Sequence, residues 1–311
     1  MSGPKRALVL GCGAVAGAAW SIAVLDALQR ELRWDAREAD LLIGTSAGAV
    51  LAALLGAGVS VERMTASQRG HAEDCTWNHD TDSGGATPPM PALSFTAPKL
   101  MWKGLRGQVS TLTALSGLLP RGRTDMQSFM RLIDSVVPAG AWAPHPATWI
   151  MAVDTASGER VALGRADAPA AAMNLAVCAS YGVPGCCPPV RLGGRTFIDG
   201  GVASPTSADF AIGAGVDEAI VLAPFASSQP DRPRTLAAKL ERRVRRTMTA
   251  IVDRECKVLR EAGIRVIRLE PGPEDLGAIG YNMLDPGRRQ RVFETALRTA
   301  PAAIAAARSA A

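Results

Sequence analysis

A serine bracketed by glycines lies where a strand-like segment runs into a helix-like one. The chain reads ADLLIGTSAGAV over residues 39–50, which places Ser46 at the centre of a G-x-S-x-G motif. A sharp strand-to-helix turn crowds the backbone, so it favours flanking glycines and exposes the hydroxyl group. The alternative is a turn that serves tight packing alone. The chemical reading predicts a nucleophile elbow around Ser46, formed by Gly44, Thr45, Ala47 and Gly48.

A serine nucleophile needs a base, and histidine is poorly placed to provide one. In α/β-hydrolases the histidine follows the serine and the acid, but no histidine follows His145 in this chain. A shielded carboxylate that hydrogen-bonds the hydroxyl group directly can take its place. Asp199 ends the apolar segment RTFID and precedes Gly200 and Gly201, which permit a tight turn. We therefore expect Asp199 at a strand's carboxyl end, the edge where α/β sheets bind ligands, although a capping aspartate is the plainer reading in isolation.

A loop containing glycines follows the first strand-like segment, in LVLGCGAVAG at residues 8–17. A strand, a loop and a helix in this order supply unpaired backbone amides that can hold an anion. The spacing does not fit the dinucleotide pattern G-x-G-x-x-G, because Ala16 stands at the third glycine's position and no acid for a ribose follows the second strand. An oxyanion hole suits the neighbouring motifs better.

The segments LGCGAVAGAAW, GTSAG and IDGG occur in this order, and together they resemble the patatin-like phospholipase family. Members of this family are serine lipid acyl hydrolases that use a Ser–Asp dyad. The likeness covers about residues 6–55 and 170–224, including ASYGVPGCCPPV before the Asp199 segment. It implies that Ser46 is the nucleophile and Asp199 the general base, and that the substrate is a lipid or another acyl ester. It also implies an oxyanion hole in the loop of Gly11, Cys12, Gly13 and Ala14, and no cofactor or metal.

The loop departs from the family pattern, in which a glycine run often carries an arginine just before its last glycine. Cys12 and Ala14 stand at run positions, and Ala16 stands where the arginine would be. Backbone amides do not need glycine side chains, so an oxyanion hole survives if φ stays negative at these residues. Three hypotheses remain: a hydrolase of phospholipase A or esterase type, a catalytically silent relative that binds lipid or protein, and an acyltransferase on the same dyad.

The motifs must be positioned by an α/β framework, because short apolar segments alternate with helical patterns along the chain. We predict strands at RALVLG, ADLLIG, TWIMAVD, ERVALG, RTFID, EAIVLAP and IRVIRLE. We predict helices at residues 17–30, 47–56, 61–73, 126–136, 169–179, 205–212, 236–262 and 287–307. The fold expected is a three-layer α/β/α sandwich with a mainly parallel central sheet, as in the patatin-like family. A single domain spans residues 1–311, with an irregular insertion at about 74–123 and a C-terminal helical segment at about 232–311.

Two segments raise the question of a membrane surface. The insertion mixes turn-forming residues with bulky apolar ones, which indicates either a surface excursion or a lid that contacts substrate; the apolar residues are Phe95, Leu100, Met101, Trp102 and Leu105. In residues 236–262, an apolar stripe at helical spacing opposes the basic run KLERRVRR. A solvated face is the default interpretation of that run, and contact with anionic lipid headgroups is the alternative.

Composition narrows the functional classes. Apolar residues make up 48% and charged residues 20%, which predicts a substantial core rather than disorder. A net charge of +5 and an aromatic content of 5% argue against a nucleic-acid partner. The six cysteines include no C-x-x-C spacing, which predicts reduced thiols. The uncharged run at residues 7–25 imitates a signal peptide, but its strand-like and helix-like halves predict folded structure in a cytoplasmic protein, at most peripheral to a membrane.

Overall fold

The computed structural model describes residues 3–71, 77–79, 81–82, 85–229 and 231–311. Within these ranges the chain forms one eight-stranded sheet and ten α-helices. The strands are β1 Arg6–Leu10, β2 Leu41–Thr45, β3 Thr148–Asp154, β4 Arg160–Leu163, β5 Val190–Leu192, β6 Arg195–Asp199, β7 Glu218–Leu222 and β8 Arg265–Leu269. The helices are α1 Ala14–Leu32, α2 Ala47–Gly56, α3 Val61–Gln68, α4 Lys99–Leu105, α5 Thr111–Ser116, α6 Gln127–Asp134, α7 Met173–Ser180, α8 Leu236–Glu261, α9 Pro273–Ile279 and α10 Arg289–Ser309.

The sheet is mainly parallel. Strands β3, β2, β1, β7 and β8 lie side by side in this order, and each adjacent pair is parallel. Strands β4 and β6 both pair with β3 in the antiparallel sense, and β5 pairs antiparallel with β6. The sequence-based prediction of a mainly parallel sheet is therefore confirmed, and its antiparallel strands are those around the Asp199 segment.

Helices cover both faces of the sheet, as alternate residues of β1 demonstrate. Leu8 and Leu10 belong to a core cluster that includes residues of α1, α2 and α10. Ala7 and Val9 point to the other face, into a cluster that includes α8 residues such as Val252. Buried apolar side chains on both faces are typical of strands in a parallel sheet. The architecture is the three-layer α/β/α sandwich that the sequence predicted.

The register of β3 decides where the strands around the candidate site end. Met151 pairs with Thr45 of β2 and with Ala162 of β4, so β2 and β4 lie on opposite edges of β3. Ala152 pairs with Val161 of β4 and with Asp199 of β6, so β6 also lies opposite β4. It follows that β2 and β6 share one edge of β3 and meet there end to end.

Most predicted elements are present, and the differences have local causes. The helix predicted at 205–212 is wrong: only a 3-10 turn forms at Ala208–Ala211, because the preceding residues are held by the buried carboxylate of Glu255. The helix predicted at 61–73 ends at Gln68, and its residues 72 and 73 lie outside the described ranges. Strand β5 and helices α4, α5 and α9 had not been predicted individually.

Helix α8 corrects the predicted apolar stripe. Its second half is amphipathic as expected, with Met248, Val252 and Cys256 buried four residues apart. Leu236 and Leu240, at its start, are instead 84% and 66% exposed. The first apolar positions of the stripe therefore face solvent rather than the sheet.

Two further observations concern expectations from composition. The cysteines of the described residues are unpaired, and Cys75 lies outside those residues. The uncharged run near the N-terminus forms β1 and α1, as its two halves predicted. Of the helices that can be described, none combines the length and the apolarity required to cross a bilayer.

Candidate active site

Ser46 occupies a strained turn between β2 and α2. Its backbone angles are φ 57° and ψ −119°, a conformation that non-glycine residues rarely adopt. The Ser46 amide donates a hydrogen bond to Ser180 Oγ at 2.8 Å, and Ser180 Oγ donates to the Met151 carbonyl at 2.6 Å. A buried hydroxyl from α7 thus bridges the turn to β3, and it holds Ser46 in place at 3% exposure.

The glycines on either side of Ser46 are required by close contact. A β-carbon on Gly44 would lie 2.5 Å from the Gly48 carbonyl oxygen. A β-carbon on Gly48 would overlap the Leu10 carbonyl group at the end of β1. Helix α2 therefore starts in direct contact with both neighbouring strands. These contacts explain why G-x-S-x-G appears at this turn, where the sequence alone left packing and chemistry as alternatives.

Asp199 reaches Ser46 because β2 and β6 meet end to end. Thr45 pairs with Met151, and Asp199 pairs with the next residue, Ala152. Asp199 is the last residue of its strand, as predicted, but β6 runs antiparallel to β3, so strand direction alone does not account for its position beside the carboxyl end of β2. The register, rather than the direction of β6, brings Asp199 level with Ser46.

The Asp199 carboxyl group is buried and accepts hydrogen bonds from two groups, the Ser46 hydroxyl and the Gly201 amide. Burial raises the pKa of Asp199 to about 7, while hydrogen bonds from the Ser46 hydroxyl and the Gly201 amide act to lower it. The Gly201 amide donates to Asp199 Oδ1 at 2.6 Å. A β-carbon on Gly200 would lie 2.7 Å from the Met151 carbonyl oxygen, so this turn also requires glycine. A carboxylate with a pKa near neutrality is suited to exchange a proton with a hydroxyl group.

The loop after β1 contacts both the serine and the aspartate turns. Its first two amides are engaged in backbone hydrogen bonds, Gly11 to the Leu222 carbonyl at 2.9 Å and Cys12 to the Pro205 carbonyl at 2.8 Å. This finding corrects the predicted oxyanion set, because the Gly11 and Cys12 amides are already used. Within the described residues, the amides of Gly13 and Ala14 make no hydrogen bond, as is typical of a helix's first turn.

Cys12 contributes its side chain to the contact rather than its amide. A β-carbon built on Gly201 would lie 3.1 Å from Cys12 Sγ and 2.9 Å from Asp199 Oδ1. The thiol therefore packs against the aspartate turn. Burial and the negative charge of Asp199 raise the pKa of Cys12, so the thiol is neutral.

Ala14 adopts a left-handed conformation with φ 47°. The condition of a negative φ, stated above for Cys12 and Ala14, is therefore not met at Ala14, although its backbone amide remains unpaired among the described residues and available as a donor. An L-residue pays about 1–2 kcal/mol for such a φ, which glycine avoids. Backbone strain of this kind is concentrated at functional sites, and here it occurs at both Ser46 and Ala14.

An apolar cavity opens beside the loop and the elbow. Ala14 and Ala47 line it, together with Val50 and Leu54 of α2, so it follows α2 for about 10 Å. Phe129 and Tyr181 form part of its wall, with ring centroids 4.4 Å apart. Polar side chains also line it, namely Arg63, Ser67, Gln68, His79, Ser135 and Arg289.

A match to a protein-family model covers the three segments of this arrangement. The sequence model of the patatin-like phospholipase family matches residues 8–212, which span the loop, the elbow and the aspartate turn. The chain belongs to the patatin-like phospholipase family. No curated protein matches it. Among solved structures, it is similar to VipD from Legionella pneumophila, with 12% sequence identity and a TM-score of 0.43 over 98% of this chain and 68% of that one.

Histidine does not contact the serine of this patatin-like site in the described residues. His145 lies near the start of β3: its Nε2 is 2.6 Å from the Ala39 carbonyl oxygen, and its Nδ1 accepts from the Ala147 amide at 3.2 Å. These partners precede β2 and β3, at the sheet edge opposite Ser46. His79 is 3.0 Å from Ser67 Oγ in the cavity wall. The carboxyl group of Asp199 is thus the titratable side chain that Ser46 contacts.

Helix α8 contributes two buried charged residues, Arg245 and Glu255, that contact the segments around the site. The sequence did not identify either of them as a functional residue. Arg245 is 2% exposed and donates to the Pro224 carbonyl at 2.8 Å and to the Ala226 carbonyl at 3.2 Å. Pro224 in turn packs against the loop, 2.9 Å from a β-carbon built on Gly13. A buried cation behind the loop therefore lies close to where the family's loop arginine is missing.

Glu255 holds the segment that anchors the Cys12 amide. Its carboxylate accepts hydrogen bonds from the Ser204 and Thr206 hydroxyl groups and from the Ala208 amide at 3.0 Å. Arg160 also pairs with this carboxylate, with its Nη1 at 3.1 Å from Glu255 Oε1. The only sequence signal for Glu255 is its position on the buried side of α8, where a charge requires partners.

The described residues contain no group of three or more histidine, cysteine, aspartate or glutamate side chains placed to hold a metal ion.

Proposed function

We propose that this patatin-like protein hydrolyses acyl esters of lipids, with Ser46 as nucleophile and Asp199 as general base. The observation that carries the proposal is the hydrogen bond between the Ser46 hydroxyl, held in a strained turn, and a buried carboxyl group whose pKa is about 7. Family membership supports ester hydrolysis on lipids as the class of reaction.

The acylation step follows from the dyad. Asp199 takes the hydroxyl proton as Ser46 Oγ attacks the ester carbonyl carbon, which forms a tetrahedral oxyanion. The amides of Gly13 and Ala14, at the start of α1, are the donors proposed for this oxyanion, and the helix dipole adds to their effect. The intermediate then expels the alcohol, which receives the proton from Asp199, and leaves an acyl-Ser46 ester.

Deacylation repeats the chemistry with water. Asp199, ionised again, removes a proton from a water molecule as its oxygen attacks the acyl carbonyl carbon. Collapse of the second tetrahedral intermediate releases the fatty acid and returns the proton to Ser46 Oγ. No group other than the dyad and the backbone amides is required for either half-reaction.

The apolar cavity supports an acyl chain as the part of the substrate that enters the protein. Ala14, a proposed oxyanion donor, and Ala47, which directly follows Ser46, are among its lining residues, and it follows α2. Mostly hydrophobic lining with a few polar groups is typical of small-molecule sites. We therefore propose lipid substrates of phospholipase A or esterase type, reached from a membrane surface to which the protein binds peripherally.

The proposal is tested with a fluorophosphonate probe and a water-soluble p-nitrophenyl ester. We expect Ser46 to be labelled, and Ser46→Ala to lose both labelling and turnover. The turnover of wild-type protein should rise with pH through about 7, because only ionised Asp199 accepts the proton. Labelling that is absent from the folded wild-type protein, and no turnover above background, would favour a silent binding relative.

The acyltransferase hypothesis is tested by the products. When a lysolipid or an alcohol is added, a hydrolase continues to release free fatty acid, whereas a transferase forms the new ester in its place. Acyl transfer as the main outcome would replace the hydrolase proposal while retaining the dyad.

A further inference from the structure

Residues 90–123, here called the basic arm, carry an unusual charge. They contain five basic residues and no acidic one, namely Lys99, Lys103, Arg106, Arg121 and Arg123. The whole chain has 34 basic and 29 acidic residues, so the net charge of +5 equals that of the basic arm alone. Among the described residues, none of the five forms an ion pair. The residues outside the basic arm therefore sum to zero net charge, with basic and acidic side chains in equal number.

The same segment also contains most of the large apolar side chains that are exposed in the described part of the chain. Seven of these twelve exposed residues lie in it: Met90, Leu93, Phe95, Trp102, Leu105, Leu115 and Leu119. Leu93 is 109% and Leu105 is 73% exposed. Single exposed apolar residues are ordinary, but a concentration of this kind marks an interaction surface.

The basic arm is an ordered part of the fold, and its exposed residues are held in place. The residues before α4 are joined to those after α5 by backbone hydrogen bonds. The Ala97 amide donates to the Gly117 carbonyl at 3.0 Å, and the Arg121 amide donates to the Ser94 carbonyl at 2.7 Å. Helices α4 and α5 cross in direct contact at Gly104 and Ala114. The outward position of the apolar residues is therefore a property of the folded segment.

The basic arm is anchored beside the aspartate turn. Leu100 is fully buried in a cluster with Val153 and Ile198, and Ile198 directly precedes Asp199. Thr113 Oγ1 donates to the Val202 carbonyl at 2.9 Å. On α4, Trp102 and Leu105 lie three residues apart on the face opposite Leu100. The exposed surface thus adjoins the proposed catalytic dyad.

We propose that the basic arm docks this protein on an anionic phospholipid surface. Tryptophan, leucine and phenylalanine together with lysine and arginine are the composition of interfacial membrane segments. Five cations without an acid complement a negative lipid surface, whereas α8, the alternative from the sequence, has its Arg242 paired with Asp231 and its Arg245 buried. This inference deepens the proposed function, because it assigns the surface from which the lipid ester is delivered.

The test measures binding separately from catalysis, in the Ser46→Ala background so that vesicles are not consumed. Flotation with vesicles of phosphatidylcholine alone is compared with vesicles that also contain phosphatidylglycerol. We expect preferential binding to the anionic vesicles that weakens with added salt. Each basic side chain near the surface contributes about fivefold, so removing three lowers binding by about 100-fold. The charge variant is Lys99→Gln, Lys103→Gln and Arg106→Gln combined.

A matched control removes three exposed charges from α8, namely Lys239→Gln, Arg243→Gln and Arg246→Gln combined. This control should bind anionic vesicles within about twofold of the parent. It removes the same amount of charge, but from a surface that the proposal does not place against the membrane. The apolar pair Trp102→Ala and Leu105→Ala should also weaken binding, and Leu236→Ala with Leu240→Ala is its control. In the presence of Ser46, the variants of the basic arm should retain turnover of the soluble ester.

Three outcomes overturn the docking proposal. They are no binding to anionic vesicles, an equal loss with the α8 control, and a dimer in solution that Trp102→Ala and Leu105→Ala dissociate while vesicle binding is unchanged. The last result would assign the surface to a second copy of the chain. The proposed hydrolase fails on a different result, the absence of soluble-ester turnover in wild-type protein, and vesicle binding remains readable in that case.

Discussion

Replacing Asp199 with asparagine should abolish activity and at the same time stabilise the folded protein at neutral pH. The carboxyl group has an ordinary pKa of 3.8, and burial raises it to about 7. This difference corresponds to about 4 kcal/mol that folding loses once the carboxyl group is ionised. The hydrogen bonds from Ser46 and Gly201 to the ionised group are already contained in that pKa. Asparagine removes the cost of ionisation and differs from the protonated carboxyl group by one neutral hydrogen bond, worth about 1 kcal/mol. We therefore expect a net gain of about 3 kcal/mol at pH 8.

The pH dependence separates this electrostatic effect from packing. Below about pH 4 the carboxyl group is protonated in both the folded and the unfolded state, so no cost of ionisation exists. Between about pH 4 and pH 7 the unfolded state releases the proton while the folded state retains it, and the wild-type protein loses stability. The advantage of Asp199→Asn over wild type must therefore grow across this interval and level off above about pH 7.

Urea unfolding of both proteins at a series of pH values measures the difference, in which the titration of all other groups cancels. Turnover of the soluble ester should fall by at least about 100-fold in the variant. Ser46→Ala provides the control: it removes a hydrogen bond that lowers the pKa of Asp199, so it should extend the pH-dependent interval upward. A variant less stable than wild type at pH 8, or a difference that does not change with pH, would refute the reasoning.

Three further substitutions test the supporting structure, each by urea unfolding. Gly48→Ala should destabilise the protein by about 3 kcal/mol, since its β-carbon overlaps the Leu10 carbonyl group, whereas Gly277→Ala, in open space on α9, should be neutral or stabilising. Ala14→Gly relieves a positive φ and should leave stability equal or higher, whereas Ala14→Val should lower it by about 1 kcal/mol; a loss in both would contradict strain at this residue. Arg245→Met should cost about 3 kcal/mol because it leaves the buried Pro224 and Ala226 carbonyls without their donor and half-buried Glu241 with Arg242 alone, and adding Glu241→Gln should recover part of the loss; an unchanged double variant would argue against the Arg245–Glu241 pairing.

Several elements of the fold could be predicted because their causes are local. The strand TWIMAVD and the helix at residues 47–56 occur with the predicted bounds, since a buried apolar run and an alanine-rich run determine them with little help from the rest of the chain. The tight strand-to-helix turn at Ser46 was equally readable. Its glycines are required by contacts that follow wherever a strand turns sharply into a helix.

Residues that act through distant contacts could not be predicted. Ser180 lies 134 residues from the Ser46 amide that it holds, and neither its type nor its spacing distinguishes it from other serines. Arg245 was placed on a solvated basic face, because sequence periodicity does not reveal which neighbour covers a helix. The sequence also assigned the amides of Gly11 and Cys12 to the oxyanion hole. These amides are bonded to the Leu222 and Pro205 carbonyls, and the sequence does not reveal such partners because they come from remote segments.

The order of residues by itself determined the chemical parts: a hydroxyl group on a tight turn, a carboxyl group before two glycines, and a helix start that leaves amides unpaired. These are local properties of backbone sterics and hydrogen bonding. Only the tertiary structure decided that the carboxyl group belongs to an antiparallel strand and still arrives beside the hydroxyl group. The reason is the register on β3, where two strands share one edge and one ends where the other begins. Burial at that junction, which no local sequence encodes, is also what brings the pKa of Asp199 to about 7.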